Sequence, residues 1–168
     1  SVTATGPFAC RFRMDVGELI QVIQTLNTED AFRARLDAAQ WRLFAQYLTR
    51  HELTSGQALV TQGERDRTMY LLGQGSLQVH VTGGAPGTSR IGIMRPGAIC
   101  GEPGLFADVP RMAHVEAMTP CVVFALRLPR FEEMAARTPA VALEVLRAAG
   151  AVMVQRTRIN LTRLVPSA

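Results

Sequence analysis

The chain has 168 residues, 48% hydrophobic and 19% charged with a net charge of +4, which excludes disorder and suits one domain able to bury a core. No apolar run reaches the roughly 18 residues of a membrane span, and residues 1–14 lack the long apolar stretch of a secretory leader. Cys10, Cys100 and Cys121 show no paired C-x-x-C spacing, which fits a reducing cytoplasm better than a disulfide framework. The basic excess permits an anionic ligand. It forms no basic stripe, and with few aromatic residues direct nucleic-acid binding is not expected.

Residues 1–14 read as an irregular lead-in. From Asp15 to Leu26, Val16, Leu19, Ile20 and Ile23 share one helical face, with Asp15 as N-cap. A second helix from Asp37 to Leu48 aligns Trp41, Phe44, Ala45 and Leu48. At His51 the apolar period drops from about 3.6 to 2. Short runs follow, punctuated at Gly56, Gly63, Gly73 and Gly75, with Gly73-Gln74-Gly75 reading as a hairpin turn. Further strands are expected at Arg90–Met94, Ala113–Met118 and Cys121–Leu128, with turns at Gly83–Gly87, Arg95–Gly97 and Thr119-Pro120. The helical period returns in a short helix at Pro129–Ala136. Thr138 then caps a long helix that opens on Pro139 and runs to Leu164, with Pro166 as its stop. The fold class expected is mainly β with flanking helices: N-terminal helices in residues 1–50, a double-stranded β-helix (jelly roll or β-roll) in 51–128, and C-terminal helices in 129–168.

The segment Pro96–Val115 carries the chemistry. A helical turn is expected to start near Glu102 or Pro103, and Gly101 lets backbone approach a ligand closely. Arg111, read as opening the next strand, can fork onto two phosphate oxygens, and Glu102 can accept from a ribose hydroxyl. A glycine, a carboxylate and an arginine on one loop suit a sugar phosphate, although each alone is ordinary surface chemistry. The free arginine is expected to be solvated, so that its loss would hardly change fold stability.

The stretch GEPGLFADVPRMAHV resembles the phosphate-binding cassette of the cyclic-nucleotide-binding domain family, and its GE-x-GLF form is similar to that of catabolite-activator-like members. Leu53, Gly56, Leu59, Gly63, Asp66, Tyr70, Gly75 and Val79 fall where that family places its roll-forming residues. Arg95-Pro96-Gly97 matches the turn before the cassette, and Phe131 the helix after the roll, so the resemblance covers about residues 51–164. It implies a non-enzymatic ligand sensor in which Gly101 and Glu102 bind the cyclic phosphate and ribose and Arg111 pairs with the phosphate. Pro103, Met112 and Ala113 line the same site. Pro103 stands for the usual Leu and removes a backbone donor. Met112 offers no hydroxyl, which argues against cGMP, and its bulk narrows the pocket. The resemblance makes cAMP the default ligand and implies no cofactor.

Other site chemistry is weaker. His51, His80 and His114 are not spaced as metal ligands, so no metal is expected, and His114 reads as a packing or edge residue. Cys121 sits in an apolar strand with no base beside it. In the long helix, Leu143, Leu146, Gly150, Met153, Thr157, Asn160 and Leu164 recur at three and four residues as a heptad seam, which favours a homodimer through residues 143–164. Gly150 would allow close helix approach. In catabolite-activator-like proteins this helix caps the base, which makes Thr157 and Asn160 the candidate ligand contacts.

Three functional readings stand side by side. The first is a cytoplasmic cyclic-nucleotide sensor that signals through its last helix to a dimer mate or an unknown protein effector. The second, favoured by Pro103 and Met112, is a ligand-blind or altered-ligand module, for instance for cyclic di-GMP. The third is the sensor part of a truncated transcription regulator, permitted by a chain that opens on Ser1 and ends too soon after Leu164 for a helix-turn-helix domain.

Overall fold

The structure, a computed structural model, describes residues 14–84 and 91–164. Residues 1–13 of the expected lead-in, with Cys10, the 85–87 part of one turn, Arg90 and the Pro166 stop lie outside the described residues, while Met14 is buried. Asp15 caps α1 (Val16–Thr25), its carboxylate accepting from the Glu18 N–H at 2.9 Å. Leu19 and Ile23 sink into the core, while Val16 and Ile20 pack at its edge. Asp37 and Gln40 form a reciprocal capping box at α2 (Ala38–Ala45), which buries Trp41 and Phe44.

Eight strands follow among the described residues: β1 (Thr49–Leu53), β2 (Ala58–Val60), β3 (Met69–Gln74), β4 (Leu77–His80), β5 (Ile91–Met94), β6 (Ile99–Cys100), β7 (His114–Ala117) and β8 (Cys121–Leu126). They form two four-stranded antiparallel sheets, ordered β1-β8-β3-β6 and β2-β7-β4-β5. The period of two explains the layering. On β8, Cys121, Val123 and Ala125 face into the roll with Leu53, Leu72, Leu77 and Val115. Val122, Phe124 and Leu126 face the opposite way, against Phe32, Phe44, Met134 and Val145 of the helical layer. A strand covered on both faces is apolar throughout, and all six residues of β8 are buried.

Gly73-Gln74-Gly75 is not a hairpin turn. β3 and β4 belong to different sheets, so the chain crosses between sheets here. Gly73 lies inside β3 at a break in register against β8. Gly75 makes the crossing with φ +88°, where a Cβ would meet the Pro120 carbonyl and lie 2.7 Å from Cys121 Sγ. Sequence periodicity carries no information on which sheet a strand joins. Cys121 is core, its thiol donating to the Ser76 and Thr119 carbonyls at 3.3 and 3.2 Å.

β8 stops two residues earlier than expected, because Arg127 already caps α4 (Leu128–Arg137) with Pro129 in the first turn. The last helix, α5 (Pro139–Leu164), has 26 residues, about 39 Å at ~1.5 Å each. Its face against the domain is Val141, Ala142, Val145, Ala148, Ala149 and Val152, all buried. The expected seam lies beside this stripe: Leu143 is exposed, Leu146, Gly150 and Met153 are half-buried, and Thr157 and Asn160 are exposed. The Leu164 side chain lies outside the described residues. Gly150 faces Phe106, whose ring would lie 3.4 Å from an added Cβ, so the close approach it permits is to its own domain.

Gly56 shares the left-handed backbone of Gly75 but has no atom within 4 Å of an added Cβ. Gly56→Ala should therefore cost about 1–2 kcal/mol of backbone strain. Gly75→Ala should lose a further ~1–3 kcal/mol from overpacking. Urea unfolding of both variants separates these terms, and equal losses would contradict the crossing described here.

Candidate functional site

The site begins where β6 ends. Gly101 has φ +76°, and a Cβ there would lie 2.5 Å from the Thr68 carbonyl and 2.7 Å from Arg111 Nη1. Glycine is thus required twice, for its conformation and for room. Glu102 follows as N-cap of the single-turn α3 (Pro103–Phe106), but its side chain makes no cap bond. It turns inward instead and is 4% exposed.

Arg111 stands three residues ahead of β7 and is 8% exposed, so it neither opens the strand nor is solvated. Its backbone is pinned to the loop after β2: Arg111 N–H donates to Glu64 O at 2.7 Å and Gly63 N–H to Arg111 O at 2.8 Å. Its Nη1 donates to Gly101 O at 3.1 Å and its Nη2 to Thr68 O at 2.7 Å, with the Asp66 carboxylate 3.6 Å from Nη2. A buried guanidinium needs acceptors, and the two carbonyls supply them. The Gly101 carbonyl also accepts from the Gly104 N–H at 3.2 Å, so removing Arg111 would leave the Thr68 carbonyl unsatisfied. The expected solvation of Arg111 is corrected, and with it the ground for expecting stability to be indifferent to its loss. Its Nε–H is buried and has no protein partner.

Glu102 is divided in the same way. Its Oε1 accepts from Arg156 Nη1 at 3.0 Å, whereas Oε2 is buried without a partner. Arg156 also donates from Nε to Asp30 Oδ2 at 3.0 Å and from Nη2 to Ile99 O at 2.7 Å. Burial works against its charge, but Glu102 and Asp30 outweigh burial and raise its pKa. Burial likewise works to raise the Asp30 pKa, and the hydrogen bond and charge of Arg156 outweigh it and hold it below the usual range. Cys100, next to the site, is pushed up to about 12 by burial and then by the charge of Glu102, which leaves it an unreactive thiol.

The remaining expected residues fall around this pair. Pro103 opens α3, and Ala113 is half-buried ahead of β7. Met112 is 68% exposed, on the solvent side of the cassette. Thr157 donates its hydroxyl to Met153 O within α5, and Asn160 is exposed. The α5 side chain that reaches the cassette is Arg156, which sequence reading passed over. Its signal was its position: it continues the face of Val145, Ala149 and Val152, where a charge demands a buried partner. His114 is a half-buried strand residue, cross-strand from His80 and stacked on it at 4.9 Å between ring centroids.

A family model described as "Cyclic nucleotide-binding domain" matches residues 50–138, from β1 through α4 and including the whole cassette. The chain is similar to a cAMP-dependent protein kinase regulatory subunit of Yarrowia lipolytica, 28% identical over 99 residues, 59% of this chain and 25% of that protein. It thus spans about a quarter of that curated relative. Its fold is like that of a cyclic nucleotide-binding domain from Methylobacillus flagellatus, with TM-score 0.76 and 19% identity over 91% of this chain and 84% of that one. It is also like the catabolite activator protein of Thermus thermophilus, with TM-score 0.67 and 23% identity over 77% of this chain and 61% of that one. With a family model matched over more than half its length and the two-sheet roll that carries the cassette, this chain belongs to the cyclic nucleotide-binding domain family.

Proposed function

We propose that the chain is a non-catalytic cyclic-nucleotide sensor, with cAMP as its default ligand, held between Gly101, Glu102 and Arg111 and reported through α5. One observation carries the reading: two buried polar atoms of opposite character, the Glu102 Oε2 acceptor and the Arg111 Nε–H donor, lack a protein partner within one cassette. Buried polar groups are normally paired, so each such atom calls for a ligand or water. A ribose hydroxyl can donate to Oε2, and a cyclic phosphate oxygen can accept from Nε–H. The lead-in and helices of 1–50, the roll of 51–128 and the helices of 129–168 then serve as support, receptor and output. No helix among the described residues is long and apolar enough to cross a membrane.

A second reading rests on the same contacts. Arg111 already uses Nη1 and Nη2 on carbonyls, and Glu102 uses one oxygen on Arg156. A cassette partly satisfied by its own chain favours an altered-ligand or ligand-blind module. Titration calorimetry with cAMP, cGMP and cyclic di-GMP separates the readings. On the sensor reading cAMP binds tightest, and absence of heat with all three sinks it.

Losing one partner of a desolvated charged pair costs on the order of 2–5 kcal/mol. Arg111→Ala should therefore weaken cAMP binding by roughly 30-fold to a few thousandfold. Arg111→Lys should rescue little, because an ammonium cannot reproduce the guanidinium geometry. Glu102→Gln should also weaken cAMP binding, since an amide keeps one acceptor oxygen where Arg156 and the ribose hydroxyl would each use one. Arg111→Ala should also lower the free energy of unfolding by about 1–3 kcal/mol through the orphaned Thr68 carbonyl. Unaltered stability would show that this carbonyl does not need the guanidinium.

The output half of the reading is a homodimer through residues 143–164. Leu143, Val154 and Leu161 are 62%, 60% and 58% exposed on α5 while its other face packs on the roll, and a second copy of the helix would cover them. An unknown effector protein would read the helix position. Met153→Glu should convert the dimer to monomer in light scattering, and a monomeric unaltered chain at micromolar concentration would refute the assembly.

A further inference from the structure

Arg156 connects three separate segments through its three side-chain nitrogens: Asp30 in the stretch between α1 and α2, Ile99 in β6, and Glu102 in the cassette. That stretch is fixed independently of Arg156. Phe32 is 1% exposed in the core, and the Arg35 N–H donates to Glu144 Oε1 of α5 at 2.8 Å. Asp30 is therefore presented by a strap that is already anchored. It occupies Nε of Arg156 while the Ile99 carbonyl occupies Nη2, and together they leave a single nitrogen for Glu102. An arginine with a free edge pairs with a carboxylate through two parallel bonds. Such a pairing here would engage Oε2, the oxygen that now has no partner.

We propose that Asp30 is a remote positioning residue for ligand binding: together with the Ile99 carbonyl it holds Arg156 to a one-point contact with Glu102 and so keeps the second carboxylate oxygen open for a ribose hydroxyl. The inference rests on the reading that the cassette takes a cyclic nucleotide. The charge count agrees with it. One guanidinium between two carboxylates leaves a net negative charge, so Glu102 remains a strong acceptor with its rotamer fixed before the ligand arrives. The depressed pKa of Asp30 keeps that charge in place throughout the neutral range. By linkage, a ligand that tightens Glu102 also tightens the strap, so the α1–α2 stretch reports occupancy as α5 does.

The test uses the full chain, cAMP and 2′-deoxy-cAMP in calorimetry, with Asp30→Ala, Arg156→Met and Glu144→Ala. Asp30 is partly exposed and lies outside the cassette, so its variant should fold. Asp30→Ala should weaken cAMP about three- to tenfold, the loss of one hydrogen bond to a charged acceptor, and should shrink the preference for cAMP over its 2′-deoxy analogue by a similar factor. Arg156→Met should shrink that preference too. Glu144→Ala loosens the same strap without touching Arg156 and should leave both ligands within about twofold of wild type. The proposal is overturned if Asp30→Ala keeps the wild-type ribose preference, or if Glu144→Ala loses it equally, since strap packing alone would then be the cause. If the unaltered chain binds neither nucleotide, the cassette reading fails by itself. Hydrogen exchange without ligand then judges the connection: Asp30→Ala should speed exchange at residues 99–106 as well as in the strap, and a change confined to the strap refutes it.

Discussion

Arg111 is a charge the domain has chosen to bury, and much of the site follows from what a buried guanidinium requires. Acceptors must meet it, and they come from Gly101 and Thr68, just after β6 and just before the neighbouring β3. The Gly101 carbonyl can reach it only because residue 101 has no side chain and turns through a left-handed conformation. The backbone of Arg111 is in turn clamped by Gly63 and Glu64, so the cassette, the β2–β3 loop and the start of β3 form one unit around a single cation. The low dielectric that makes such a group costly alone is what strengthens any anion placed beside it.

The same logic governs α5. Its apolar face holds it to the roll by packing alone up to Val152, and beyond that an arginine takes the next position. Packing fixes where the helix lies, while Arg156 makes that position depend on the state of Glu102 and Asp30. Removing either carboxylate leaves Arg156 paired with the other and one of its N–H groups without an acceptor at a helix–cassette junction. On the proposed sensor reading, the polar and specific contact of Arg156 with Glu102 is what would let α5 respond to occupancy.

Much of this was legible in the residues. The capped helices at Asp15 and Asp37, the change of period near His51, the long helix opening on Pro139 and the resemblance of GEPGLFADVPRMAHV to the cassette all describe the molecule well. What escaped has physical reasons. Gly73-Gln74-Gly75 looked like a hairpin because local pattern cannot say that β3 and β4 part into different sheets. Arg111 looked solvated because its acceptors are backbone carbonyls, which every residue has and no sequence marks. Thr157 and Asn160 drew notice as polar residues in a seam, whereas the contact with the cassette comes from Arg156, 54 residues from Glu102 along the chain. Pairing at that distance is set by the tertiary fold.

The central claim is that the unpaired atoms of the cassette belong to a cyclic nucleotide. It is tested most directly by the arginine Nε–H resonances of the ¹⁵N-labelled chain, titrated with cAMP and assigned with Arg111→Lys. The account predicts that the Arg111 signal moves to a hydrogen-bonded position and saturates with ligand. A cAMP titration that leaves the Arg111 resonance where it stands in the free protein would contradict it.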